Sequence, residues 1–197
     1  MSASRVAKMK TLLATIRDCR LCEERLPLGP RPVLAASPTA RLLIVGQAPG
    51  TKVHRSGIPW NDPSGDRLRD WLQLDREAFY DEARIAIVPM GFCYPGRGRS
   101  GDLPPDPVCA PQWHPPLLER MPKLALTLLV GNYAQRYYLD AEDATLTARV
   151  RRWRDFGPRF LPLPHPSPRN NLWLRRNPWF EQEVLPDLRD RLRQLGL

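Results

Sequence analysis

The sequence predicts an α/β fold, a three-layer α/β/α sandwich around a central, mostly parallel four-stranded sheet. Three observations carry this prediction. Four short apolar runs, at residues 41–45 (RLLIV), 84–88 (RIAIV), 124–130 (LALTLLV) and 160–163 (FLPL), have the length and near-continuous hydrophobicity of strands buried on both faces. Segments with helical spacing lie between them, and strands that alternate with helices pair in parallel with helices covering both faces. Three of the runs lead into polar or glycine-rich loops, at 46–50, 89–101 and 165–171, where such sheets hold ligands beyond their carboxyl ends.

The first predicted helix covers 4–18, with Val6, Met9, Leu12, Leu13 and Ile16 on one face, and it delivers Cys19 and Cys22 at its end. A proline-rich link (Pro27, Pro30, Pro32, Pro38) leads to the first strand, which stops at Gly46, a signal for a sharp turn. Further helices are predicted over 64–74 and 132–139. After the fourth strand, Asn177 and Pro178 are expected to cap a last amphipathic helix that Pro186 kinks. A chain of 197 residues suits one well-buried core, so a single domain over 1–197 is expected. No apolar run approaches a membrane span, and residues 1–10 form a charged stretch without an apolar signal core. A soluble, cytoplasmic monomer that engages no membrane is therefore expected.

The formal charge is +9, and arginine supplies most of the positive part, since Lys8, Lys10, Lys52 and Lys123 are the only lysines. From Arg149 onward eleven arginines face five acids, Asp155, Glu181, Glu183, Asp187 and Asp190, so about two-thirds of the excess lies in the last quarter. Guanidinium holds phosphate in a bidentate fork, and such a concentration suits a polyanionic partner. A basic but inert surface is the competing account of the same composition.

The four cysteines are Cys19, Cys22, Cys93 and Cys109. A close Cys-x-x-Cys pair with two distant single cysteines suits thiolate ligands gathered on one centre, zinc or an iron–sulfur cluster. Two disulfides are the alternative, disfavoured where no secretory signal is present.

The strand-end loops carry the candidate chemistry. Gly46-Gln47-Ala48-Pro49-Gly50 is a tight turn whose amides can face a ligand. Gly57-Ile58-Pro59-Trp60-Asn61-Asp62-Pro63-Ser64-Gly65 adds an indole able to stack on a planar group and a carboxylate just before a helix. An ordinary reading of the same residues is Asp62 or Ser64 as an N-cap and Trp60 as core. His165-Pro166-Ser167-Pro168-Arg169-Asn170-Asn171 is a loop stiffened by prolines that presents an imidazole, a hydroxyl and a guanidinium.

These motifs, in this order, resemble the uracil-DNA glycosylase superfamily. The cysteine pattern is similar to its iron–sulfur branches, families four and five, and His165-Pro166-Ser167-Pro168-Arg169-Asn170 is similar to the single-strand-selective branch. The resemblance runs from about residue 12 to residue 190. It implies a monofunctional N-glycosylase acting on DNA, with a [4Fe–4S] cluster on Cys19, Cys22, Cys93 and Cys109. A base inside the stack cannot be attacked, so such enzymes flip the nucleotide into a pocket and hold the gap open with an inserted loop. By resemblance Pro168 and Arg169 form that wedge, with Asn170, Arg175 and Arg176 as further DNA contacts. Gly46, Ala48, Trp60 and Ser167 would bind the base, and His165 would donate to its carbonyl as negative charge grows there.

Two departures from the family pattern bear on mechanism. Family four has a glutamate where this chain has Gln47, whereas the segment Asp62-Pro63-Ser64-Gly65 resembles the family-five pattern; that resemblance implies Asp62 as the carboxylate beside the developing oxocarbenium, with Gln47 positioning water or base and the Asp102 loop next in line. Uracil-reading members commonly carry an asparagine on the second strand, shortly before the third cysteine, and residues 88–93 (VPMGFC) contain none, which implies a changed or relaxed substrate. A non-catalytic DNA reader that keeps the fold, and a small-molecule hydrolase using the same pocket, are the other functional classes the sequence allows.

Overall fold

The computed structural model describes residues 3–99, 101–139 and 145–197, so residues 1–2, residue 100 in the second strand-end loop, and residues 140–144 lie outside the described residues. In chain order the elements are α1 (Ala3–Arg17), β1 (Leu42–Val45), α2 (Thr51–Ser56), α3 (Pro63–Leu72), α4 (Arg76–Phe79), β2 (Ile85–Ile87), β3 (Arg97–Gly98), β4 (Gly101–Asp102) and α5 (Cys109–Glu119). They continue with β5 (Leu126–Val130), α6 (Asn132–Tyr138), α7 (Leu146–Arg151), β6 (Phe160–Leu163), α8 (Asn171–Arg176) and α9 (Leu185–Gln194).

The four predicted strands form one parallel sheet in the order β2-β1-β5-β6, while β3 and β4 make a separate antiparallel hairpin. Alternate strand residues enter two cores, as the pleat requires. Leu42, Ile44, Ile85, Ile87, Leu128 and Leu161 pack on one face with Leu68 and Trp71 of α3 and Leu188 and Leu192 of α9. Leu43, Val45, Ala86 and Leu129 pack on the other with Met9, Leu13 and Ile16 of α1 and with Trp113 and Leu117 of α5. The α/β class and the layering expected from sequence are therefore observed. Because β1 is followed spatially by β2 on one side and β5 on the other, the carboxyl end of β1 opens a crevice at a switch in strand order.

One local expectation needs correction. Asn177 does not cap the last helix through its side chain: Nδ2 donates to the Trp173 carbonyl and Oδ1 accepts from the Trp179 indole. Pro186, expected to kink that helix, lies in its first turn, just after an irregular stretch. Having no N–H for the carbonyl four residues back, it is accommodated by a π-helical stretch, Phe180–Val184, that runs straight into α9.

α5 was not expected, because its sequence contains Pro115 and Pro116. Its helical stripe is nonetheless regular, with Cys109, Ala110, Trp113, His114 and Leu117 all buried. His114 ties α5 to the segment after β2. Its Nε2 lies 3.0 Å from the Pro89 carbonyl and its Nδ1 2.5 Å from Tyr138 Oη. A carbonyl only accepts, so Nε2 carries the proton and Tyr138 donates to Nδ1.

Burial lowers the His114 pKa to about 4, with the Pro89 bond opposing that shift. The unfolded chain binds this proton near 6.5 and the native state only near 4, so stability is full above 6.5 and falls as the pH drops through that window. The expected loss from this one group is about 3 kcal/mol between neutral pH and pH 4. Urea unfolding at several pH values would measure it, and His114→Asn should show a shallower fall over the same range.

Candidate active site

β1 ends at Val45, and the chain turns through Gly46, Gln47, Ala48, Pro49 and Gly50 into α2. Main-chain bonds tie that turn to the segment after β2, with Met90 N–H donating to the Gly46 carbonyl and Gly91 N–H to the Gln47 carbonyl, each at 2.9 Å. Gly46 must lack a side chain, because a Cβ there would lie 2.7 Å from Cζ2 of Trp60. The indole thus lies directly over the turn.

Trp60 holds φ at +55°, in the left-handed region, at a cost of about 1–2 kcal/mol for a residue with a Cβ. Its neighbours impose that conformation. Tyr80 Oη donates to the Pro59 carbonyl at 2.8 Å, and Arg69 donates to the Trp60 carbonyl at 3.4 Å. Gly65 sits under the same carbonyl, where a Cβ would come within 1.7 Å of its oxygen. Strain held in place by so many partners is found at functional positions.

Asp62 is the N-cap of α3, its Oδ1 accepting from Gly65 N–H at 2.9 Å. The cap uses one carboxylate oxygen of two, and the same residue lines the cavity.

His165 leaves the end of β6 in a loop braced from within. Asn170 Nδ2 donates to the His165 carbonyl at 2.7 Å, Asn170 N–H donates to the Ser167 carbonyl at 2.9 Å, and Arg67 of α3 donates to that carbonyl at 3.2 Å. Ser167 Oγ accepts from Arg169 N–H at 3.3 Å. Ser167 N–H donates to His165 Nδ1 at 3.2 Å, which leaves Nε2 as the protonated nitrogen of a neutral ring. Burial lowers the His165 pKa, with the charge of Asp62 opposing the shift, so the ring is neutral near pH 7. The imidazole and the Trp60 indole stand 5.6 Å apart, centroid to centroid.

These elements enclose a cavity of about 290 Å³. Of the residues singled out in the sequence, Gly46, Gln47, Ala48, Trp60, Asp62, His165, Ser167, Arg169 and Asn170 line it. Arg175 and Arg176 do not, standing exposed in the last turn of α8, and Pro168 is exposed on the loop beside the mouth. Val33, Val53 and Ile87 supply apolar lining that no motif in the sequence announces. Gln47 is engaged: its Nε2 donates to the Leu103 carbonyl at 3.0 Å.

The four cysteines meet elsewhere, around one small cavity on the α1 and α5 side together with Phe92, Asp106 and Trp113. None is bonded to another. Phe92 N–H donates to Cys109 Sγ at 3.4 Å, and an Arg25–Asp106 ion pair of 2.7 Å stands beside Cys22. Burial pushes the Cys93 thiol up to about 11 and the Cys109 thiol to about 12. Among the described residues, no three His, Cys, Asp or Glu side chains come close enough together to hold a single metal ion.

A family model for the uracil DNA glycosylase superfamily matches residues 35–189. The chain belongs to this superfamily. The match is to the superfamily as a whole, and it spans the sheet, the Gly46 turn, Trp60, Asp62 and His165, with Cys19 and Cys22 ahead of it. Membership implies DNA as the substrate and base excision as the class of chemistry. No helix among the described residues is long and apolar enough to cross a membrane.

Proposed function

We propose that this protein is a monofunctional DNA glycosylase that hydrolyses the N-glycosidic bond of a flipped uracil, or of another damaged or modified base, and leaves an abasic site. The observation that carries the proposal is the convergence of a neutral imidazole, a carboxylate and an indole in one strand-end cavity of a superfamily member. The flipped base stacks on Trp60. As the C1′–N bond lengthens, negative charge collects on the base, and Nε2–H of His165 donates to it, an interaction worth about 3 kcal/mol. Asp62 carries the negative charge that the sugar cation needs.

The substrate range is set by the wall after β2. Ile87 and Pro89 line the cavity there without a side-chain amide, which supports a site less strict than one that reads a pyrimidine edge. The replacement of a family-four glutamate by Gln47 does not favour a non-catalytic reader, because Gln47 has a task of its own in holding Leu103. The deciding experiment is a cleavage panel of oligonucleotides bearing uracil, hypoxanthine, xanthine, thymine opposite guanine, and bulky modified cytosines. Abasic sites are expected on at least one. Tight binding without cleavage on all of them would overturn the proposal.

Arg175 and Arg176 are assigned to phosphate. Changing both to alanine is expected to weaken binding to every sequence alike and to flatten the slope of log K against log salt by about 2. Fluorescence anisotropy over a salt series measures the slope.

The same proposal places a [4Fe–4S] cluster on Cys19, Cys22, Cys93 and Cys109. Four thiols lining one cavity supply the full donor set. The cluster supplies a cross-link between the end of α1, the loop after β2 and the start of α5. No catalytic step is assigned to it.

A further inference from the structure

The β3–β4 hairpin plays no part in the mechanism above, yet it brings a second carboxylate to the cavity. Asp102 ends β4, is exposed to solvent and lines the cavity. A Cβ on Gly50 would lie 3.3 Å from Asp102 Oδ2, so the carboxylate rests against the turn after β1. That turn, Gly46-Gln47-Ala48-Pro49-Gly50, has no charged side chain of its own. The hairpin is held by the turn, since Gln47 Nε2 donates to the carbonyl of Leu103, the residue after Asp102. It is also met by the His165 loop, whose Arg169 guanidinium closes over Gly101 so tightly that a Cβ there would lie 2.3 Å from it.

From this placement we propose that Asp102 is a second catalytic carboxylate, the group that orients and deprotonates the attacking water, and that Gln47 positions it through Leu103. The inference rests on the glycosylase reading. A flipped base stacked on Trp60 leaves its sugar on the solvent side, and Asp102 is a solvent-exposed carboxylate of the cavity lining, within reach of water.

The charges around Asp102 suit the task. Partial withdrawal from solvent raises its pKa, and Arg169 and Arg97 pull the other way, while Asp62 adds to the rise. Although the residue as a whole is exposed, its carboxylate is the part that borders the turn, and desolvation acts there. A carboxylate with its pKa raised is a better proton acceptor than an ordinary one. In the step, the C1′–N bond breaks and its electron pair leaves with the base. The water oxygen bonds to C1′, and one of its protons passes to the Asp102 carboxylate while the other remains on the new sugar hydroxyl. Asp102 returns its proton to solvent, and the base anion takes one from solvent.

The test is single-turnover excision, with DNA affinity measured alongside, for the wild type, Asp102→Asn, Gln47→Ala and the double variant, on whichever panel oligonucleotide the wild type cleaves. Asp102→Asn is expected to lose about 100-fold in rate. Its DNA affinity should stay the same or tighten, because a negative charge leaves the face that meets phosphate. Gln47→Ala should lose less, and the double variant should be no slower than Asp102→Asn alone, since both changes act on one group. A rate within threefold of wild type for Asp102→Asn overturns the inference, as does a loss of affinity in step with rate or full additivity in the double variant. A wild type that releases no base from any oligonucleotide overturns the glycosylase proposal, and this inference with it.

Discussion

His165→Ala and Asp62→Asn should each lower single-turnover excision by two to four powers of ten, about 3–5 kcal/mol of transition-state stabilisation, while leaving DNA affinity nearly intact. The two variants probe opposite ends of one breaking bond. With Nδ1 occupied by Ser167 N–H, Nε2–H is the donor that His165 offers the base, and alanine removes it. Asp62→Asn is the cleaner of the pair, because asparagine caps a helix as well as aspartate does. The bond from Gly65 N–H survives in kind, α3 keeps its start, and only the charge is lost. Equal melting temperatures with a large loss of rate would therefore isolate the electrostatic role. Full activity in Asp62→Asn would show that the sugar cation is stabilised from elsewhere.

Much of this arrangement was legible in the sequence, for reasons that differ from residue to residue. Runs such as Leu42–Val45 announce a strand buried on both faces because every position is apolar, and the cavity lies where strands of that kind end. Gly46, Trp60, Asp62 and His165 were visible because each sits within a few residues of a helix or strand boundary, so local order fixes where they point. α5 was hidden by its prolines, although its buried positions follow a helical stripe. The β3–β4 hairpin was hidden for a deeper reason. Strands of two residues have no periodicity, and the contacts that place Asp102 come from Gln47 and Arg169, which are distant in sequence. The position of Arg169 depends on the same contact, as its guanidinium lies over Gly101 at the rim of the cavity. Long-range contact of this kind leaves no local signature.

Anaerobically purified protein is expected to be brown and to contain iron and sulfide in nearly equal amounts, and replacing Cys109 with serine should abolish both. The effect on the fold should be large. The proposed cluster joins Cys19 and Cys22, just past α1, to Cys109 at the first position of α5, and treated as a covalent tie across about 90 residues it stabilises the native chain by about 4–5 kcal/mol. That corresponds to a fall of about 10–15 °C in Tm for the cysteine variant. The loss should be local before it is global. Met9, Leu13 and Ile16 of α1 are buried in the same core as Trp113 and Leu117 of α5, so hydrogen exchange should quicken first in α1 and at the start of α5, while β1 and β5 stay protected. Stoichiometric zinc, or two disulfides detected by mass spectrometry, would overturn the cluster assignment. Were the cysteine variant to lose its iron but keep its Tm, the cross-link would have no structural role, and the packing of α1 on α5 would suffice to hold that side of the sheet.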